Sequence, residues 1–119
     1  MTREQLHDIL ERSPVIASFH DNEFEKTLTS PPEILFDLKA SLPKEAARIE
    51  KAHKAGKYIF VHIDLADGIG KDKTGIEYLA SLGVDGIIST RGQMIRYAKE
   101  AGLLTVQRFF ALDTQGIES

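Results

Sequence analysis

The chain has 119 residues, enough for one core, and its 42% hydrophobic and 28% charged residues exclude a disordered polymer. It has no cysteine, which rules out a disulfide framework, a thiolate metal site and a cysteine nucleophile, and suits a reducing compartment. A net charge of −3 gives no whole-molecule attraction to phosphate backbones, and no basic leader or run of roughly 18 apolar residues is present, so a cytoplasmic protein without a membrane span is expected.

In chain order, Leu6, Ile9 and Leu10 stand at helical spacing behind Thr2, with Gln5 at the capping-box position, which predicts a short opening helix to Arg12. Pro14 opens an apolar run, Val15-Ile16-Ala17, that ends in Ser18, Phe19 and His20 and has strand length. Asp21-Asn22 predicts the cap of a helix from Glu23 to Leu28, stopped by Ser30-Pro31-Pro32 before a second strand, Ile34 to Leu38. Ser41 and Pro43 begin a third helix carrying Ala46, Ala47, Ile49, Ala52 and Ala55, with Gly56 as its stop. Tyr58 to Asp64 reads as a strand covered on both faces. A glycine-containing loop leads to a helix from Thr74 to Leu82, and a strand from Val84 to Ile88 follows Gly83. Ser89-Thr90 caps a helix that ends at Ala101-Gly102, and a last strand runs from Leu103 to Arg108 ahead of a short tail.

Strands and helices therefore alternate through five strands spaced about 20 to 27 residues apart, the spacing of βαβ units in a parallel α/β sheet. Length alone favours an open sheet, because a closed eight-stranded barrel takes about 250 residues. Polar residues collect where strands end, at Ser18 to His20, Asp37 to Lys39, His62 to Asp64, Ser89 to Arg91 and Gln107-Arg108. Both folds bind ligands at that end, so the pattern locates a site without choosing the fold.

Ser89-Thr90-Arg91-Gly92 stands between a strand and a helix, where free N–H groups, hydroxyls, a guanidinium and the helix dipole can meet an anion; the same residues also make an ordinary N-cap with a solvated arginine. His62 and Asp64, two apart on a strand, share a face and can hold hydroxyl groups or two valences of a metal, or pair with each other structurally. No further ligand stands at a recognisable spacing, so no metal is expected. Lys39, Gln107 and Arg108 are further rim candidates for phosphate or hydroxyl contacts, or plain surface charges, with Asp37 and Asp113 weaker. The loop Gly68 to Gly75 fails both the phosphate-loop and the dinucleotide patterns and reads as a flexible basic lid. Arg108-Phe109-Phe110 could stack on unpaired bases, although phenylalanines in such units are usually core. Lys44, Arg48, Lys51 and Lys54 form a basic stripe at helical spacing, interleaved with Glu45 and Glu50, and read as a solvated face before an RNA surface.

The runs Val61-His62-Ile63-Asp64-Leu65 with Gly68, Gly86-Ile87-Ile88-Ser89-Thr90-Arg91-Gly92 and Gln107-Arg108-Phe109-Phe110-Ala111-Leu112-Asp113 resemble the glycerol uptake operon antiterminator regulatory proteins. Ile88 to Gly92 is the most specific part, and Pro14 to Ala17 and Ser30 to Lys39 match more loosely. The resemblance implies a TIM-barrel-like fold that senses glycerol 3-phosphate and acts on the leader mRNA of glycerol genes to prevent termination, with no cofactor and no turnover. It makes Lys39, His62, Asp64, Ser89, Thr90, Arg91, Gly92, Gln107 and Arg108 the expected ligand contacts and leaves the RNA surface unassigned. Residues 1–119 are then expected to form one (β/α) domain, the N-terminal part of a larger barrel with about five of its eight strands. Two open sheet edges would call for a homo-oligomer or another chain to cover them. The competing reading is a TIM-barrel enzyme acting on a small phosphorylated metabolite, with His62 and Asp64 as base and acid.

Overall fold

The computed structural model describes residues 1–13 and 15–109; the expected roles of Pro14, Phe110 and Asp113, and the tail, lie outside them. Helix α1 (Arg3–Arg12) opens with the expected capping box, in which Thr2 Oγ1 accepts the Gln5 N–H at 3.1 Å and Gln5 Oε1 accepts the Thr2 N–H at 2.8 Å. Then follow β1 (Ile16–Phe19), a 3₁₀ turn (Asp21–Glu23) with α2 (Phe24–Thr27), β2 (Ile34–Asp37), α3 (Leu42–Lys54) and β3 (Tyr58–His62). A second 3₁₀ turn (Ile63–Leu65), α4 (Lys73–Ser81), β4 (Gly86–Ser89), α5 (Gly92–Glu100) and β5 (Leu104–Gln107) complete the described elements. Gly56 and Gly102 stop α3 and α5 at φ 76° and 80°, a left-handed conformation that glycine adopts without a Cβ penalty.

Several boundaries differ from the sequence expectation. Val15 is exposed and outside β1, while Phe19 is a fully buried strand residue and no part of the rim. The turn before α2 starts at His20, whose N–H donates to Glu23 Oε1 at 3.0 Å. Helix α4 is capped by Asp72, whose Oδ1 accepts the Gly75 N–H at 2.8 Å, because this carboxylate satisfies a first-turn amide that Thr74 cannot reach from inside the helix.

Among the described residues the five strands pair in the order β1-β2-β3-β4-β5, all parallel. An open doubly wound sheet reverses its strand order at a switch point, and this one does not. Right-handed crossovers in an unreversed order carry every connecting helix to one face, which is the arrangement of a barrel wall.

The side chains divide accordingly. Ala17, Leu35, Ile59, Val61 and Ile87 point outward and pack with Ile49 and Ala52 of α3, Ile76 and Leu79 of α4, and Met94 and Ala98 of α5. Ile16, Ile34, Phe36, Tyr58, Phe60, Ile88, Leu104 and Val106 form the inner face. Helix α1 covers its amino end with Met1, Leu6, Ile9 and Leu10, and is anchored there by a two-point pair from Arg12 Nη2 and Nε to Glu33 at 3.0 and 3.1 Å. Gly86 belongs to this layer because a Cβ there would overlap the Phe60 ring.

Between sheet and helices lies a buried charged cluster. Arg48 Nη1 stands 3.1 Å from Asp37 Oδ2 and 3.8 Å from Glu45 Oε1, with its guanidinium carbon 5.6 Å from the ring centres of both Phe19 and Phe24. The Lys44–Lys54 basic stripe is a solvated face at Lys44, Lys51 and Lys54, which are exposed, with Lys51 and Lys54 beside Glu25 and Glu50; Arg48 alone departs from it and is turned into the core. One guanidinium cannot neutralise two buried carboxylates. Burial first, and then the neighbouring Asp37, push the Glu45 carboxyl up to about 9 against the opposing pull of Arg48. As an anion Glu45 has no hydrogen-bond donor for either oxygen among the described residues; with its proton it can donate to Asp37.

At the opposite end of the strands, buried Lys57 donates through Nζ to the carbonyls of Ser30 and Pro32 at 2.6 Å each, and Asp85 Oδ2 accepts the Ile59 N–H at 2.9 Å. These contacts fix the amino ends and leave the other rim to function.

Because Glu45 keeps its proton in the folded state up to about 9 but loses it near 4.5 when unfolded, its contribution to stability is full below 4.5 and falls as pH rises between those values. The slope for one proton is about 1.4 kcal/mol per pH unit at most. Urea unfolding of the wild type should show declining stability from pH 6 to 8, and Glu45→Gln should flatten that decline. A second expectation is that Gly75→Ala, whose methyl would overlap the Gly70 carbonyl, costs about 1–3 kcal/mol in the same assay.

Candidate functional site

The carboxyl ends of β3, β4 and β5 form the rim on which the predicted residues gather. Strand β3 ends at His62, and the 3₁₀ turn that follows carries Asp64 away from the strand's alternation. The expectation that His62 and Asp64 share a strand face therefore fails, because side-chain alternation ends where the extended backbone ends. His62 partners Ile88 across the sheet, which pairs in turn with Val106, and so belongs to the inner face. Asp64 turns instead to the loop between β4 and α5.

There it is held by three hydrogen bonds. Ser89 Oγ donates to Oδ1 at 2.7 Å, and the Thr90 N–H and Oγ1 each donate to Oδ2 at 2.8 Å. Arg91 Nε lies 3.9 Å from Oδ1, at the edge of an ion pair. Burial would raise the Asp64 carboxyl, but the Thr90 amide, the two hydroxyls and His62 outweigh it and hold the group below the ordinary carboxylate range. An acid that is ionised throughout the neutral range cannot donate a proton, so the general-acid role considered for Asp64 is unsupported.

Ser89 and Thr90 do not cap α5 as expected. Arg91 occupies the cap position without a side-chain bond, and Ser89 Oγ accepts the Arg91 N–H at 3.0 Å, because both hydroxyls are committed to Asp64. Gly92 is the first helical residue.

His62 is 3% exposed, and its Nδ1 has no hydrogen-bond partner among the described residues. Burial pushes the imidazole down from its ordinary value, Asp64 partly opposes this, and Arg108 pushes it further down. Arg108 lies two residues beyond inward-facing Val106, and its N–H donates to the Ser89 carbonyl at 2.9 Å. The rim thus holds a buried imidazole, its Nδ1 unpartnered among the described residues, together with two exposed guanidinium groups, Arg91 and Arg108.

The other predicted residues are placed differently. Gln107 pairs with Ser89 on the outward face, near Gly92, and does not join His62 and Arg108. Lys39 forms an ion pair at 3.1 Å with Asp67. That pair ties the loop after β2 to the loop after β3, as do the backbone bonds Leu42 N–H to Asp67 O and Asp67 N–H to Ala40 O, both 2.9 Å. The glycine loop is accordingly no loose lid: Lys71 Nζ donates to the Ala66 carbonyl, Ile69 is buried, and the start of α4 lies against Gly70. Asp37 belongs to the buried cluster under α3. Phe109 is 81% exposed, against the expectation of a core residue. Sequence reading missed Asp67 as the partner of Lys39, and no local pattern marks a pair made across two loops. Among the described residues no group of three or more histidine, cysteine or acidic side chains could hold a metal ion, and no helix is long and apolar enough to cross a membrane.

Residues 15–119, which include every rim residue, match the family described as glycerol-3-phosphate responsive antiterminator. The chain belongs to that family. It is 31% identical over 108 residues, 89% of its length, to the uncharacterised protein YgcP of Escherichia coli K12, of which it covers 56%. A glycerol uptake operon antiterminator regulatory protein from Listeria monocytogenes superimposes with a TM-score of 0.77 at 32% identity, over 84% of this chain and 55% of that one. A glycerol uptake operon antiterminator-related protein from Thermotoga maritima gives 0.73 at 30% identity, over 84% and 57%. The chain therefore spans a little over half the length of these relatives, and its five strands are an incomplete wall of the TIM-barrel-like fold.

The electrostatic account of His62 is checked by NMR titration of its ring. Its midpoint should lie below the ordinary histidine value, rise in Arg108→Ala and fall further in Asp64→Asn.

Proposed function

We propose that this chain is the sensor part of a cytoplasmic, glycerol-3-phosphate-responsive antiterminator, binding the phosphate ester at the carboxyl rim and acting, when loaded, on the leader mRNA of glycerol genes. The family match across residues 15–119 carries this reading. The rim supports it: Arg91 and Arg108 offer charge to a phosphate, and His62 and Asp64 offer partners to glycerol hydroxyls. No chemistry on the ligand is invoked, in keeping with a regulatory family. Loading changes RNA affinity only through a difference in ligand affinity between two conformations or assembly states. In this reading residues 1–119 act as the N-terminal part of a larger barrel, and the edges of β1 and β5 are covered by further βα units or by a second copy of the chain.

The test is thermal unfolding and sedimentation of the 119-residue chain with sn-glycerol 3-phosphate, glycerol or no addition, followed by gel-shift with a glycerol-operon leader RNA. A ligand at a hundred times its Kd stabilises the folded state by about 2.7 kcal/mol. Glycerol 3-phosphate should raise the unfolding temperature where glycerol does not, Arg108→Ala should diminish the rise, and the RNA shift should depend on the ligand. A well-folded chain indifferent to glycerol 3-phosphate would overturn the reading for this polypeptide.

A further inference from the structure

The groups best suited to grip an anion at the rim already hold one. Ser89 Oγ, the Thr90 N–H and Thr90 Oγ1 converge on the two oxygens of Asp64 at 2.7, 2.8 and 2.8 Å, with Arg91 Nε 3.9 Å away. We infer that Asp64 is an internal counter-ion that an incoming phosphate monoester displaces from the Ser89-Thr90-Arg91 loop, so that Asp64 sets the anion affinity of the rim. The inference rests on the reading that this rim binds a phosphate ester.

Carboxylate and phosphate both present two oxygens to a set of converging donors, so a loop shaped around one is shaped closely for the other. The contact also lies at the solvent boundary, with the Asp64 side chain 12% exposed and that of Arg91 54% exposed. An anion can approach without opening the core, and a displaced carboxylate is not stranded in apolar surroundings.

The independent observation is His62. Its ring is buried two residues before Asp64 and opposite Ile88, the neighbour of Ser89, and its Nδ1 lacks a partner among the described residues. A buried polar atom without a partner is costly, and here it gives Asp64 a second place to bond. With its tautomeric proton on Nδ1, the ring can donate to the Asp64 carboxylate once that has left the loop. Asp64 thus has two alternative sets of partners, and occupation of the loop by an external anion selects the second. A carboxylate that merely braces the loop makes the opposite prediction: its removal would loosen the donors and weaken anion binding.

The sign of the effect decides. Calorimetric titration of the whole 119-residue chain at low ionic strength, with sn-glycerol 3-phosphate and separately with inorganic phosphate, compares wild type with Asp64→Ala and Asp64→Asn. Both variants should bind both anions tighter than wild type by about tenfold or more, the scale set by one charge-assisted hydrogen bond. If wild type binds and the folded variants bind equally or more weakly, Asp64 is a brace or a direct ligand contact and the inference falls alone. If no form binds either anion, the phosphate reading falls with it. Should Asp64→Ala not fold, the near-isosteric Asp64→Asn distinguishes the same outcomes.

Discussion

The architecture depends on one constraint: strands that pair in chain order, all parallel, joined by crossovers of a single hand. That order leaves no strand reversal at which helices could pass to the other side. Helices α2 to α5 accordingly share one face, and the opposite face, lined by Ile34, Phe60 and Ile88, packs against α1. Every strand also delivers its carboxyl end to the same rim. Residues as distant in sequence as Asp64 and Thr90 become neighbours for that reason.

Two carboxylates show how the two ends of this wall differ. Glu45 sits between sheet and helix with one guanidinium already committed to Asp37, and holds its proton because burial outweighs the remaining attraction. Asp64 stands at the rim, where an amide and two hydroxyls each supply a hydrogen bond, and stays ionised despite partial burial. The difference is the number of donors within reach. The first group is a structural element of the wall, and the second organises the loop that carries the rim's hydroxyls and Arg91.

Family membership and the chain's extent bear differently on function. The match over residues 15–119 assigns the chain to the antiterminators, whereas the chain covers only 55% and 57% of the two solved relatives. The rim described here is made by β3 to β5 and gathers two exposed guanidinium groups, Arg91 and Arg108, with the buried His62 imidazole and the Asp64 carboxylate.

By itself the sequence determined the class, the five strands and the rim. Strand-length apolar runs ending in polar residues, glycine stops at Gly56 and Gly102, and the Thr2–Gln5 capping box are local signals, set by backbone sterics and nearest-neighbour hydrogen bonds. It also marked Lys39, His62, Asp64, Ser89, Thr90, Arg91, Gly92, Gln107 and Arg108 as rim candidates. What it left undecided was which partner each would take. Arg48 belonged to an apparent surface stripe until Asp37 and two phenylalanine rings drew it inward, and Gln107 left the site because pairing with Ser89 set its face. Barrel wall or open sheet was settled by strand order, and the bonding of Asp64 by a loop 25 residues away. Those outcomes depend on desolvation and on donors supplied by distant segments, which no window of sequence contains.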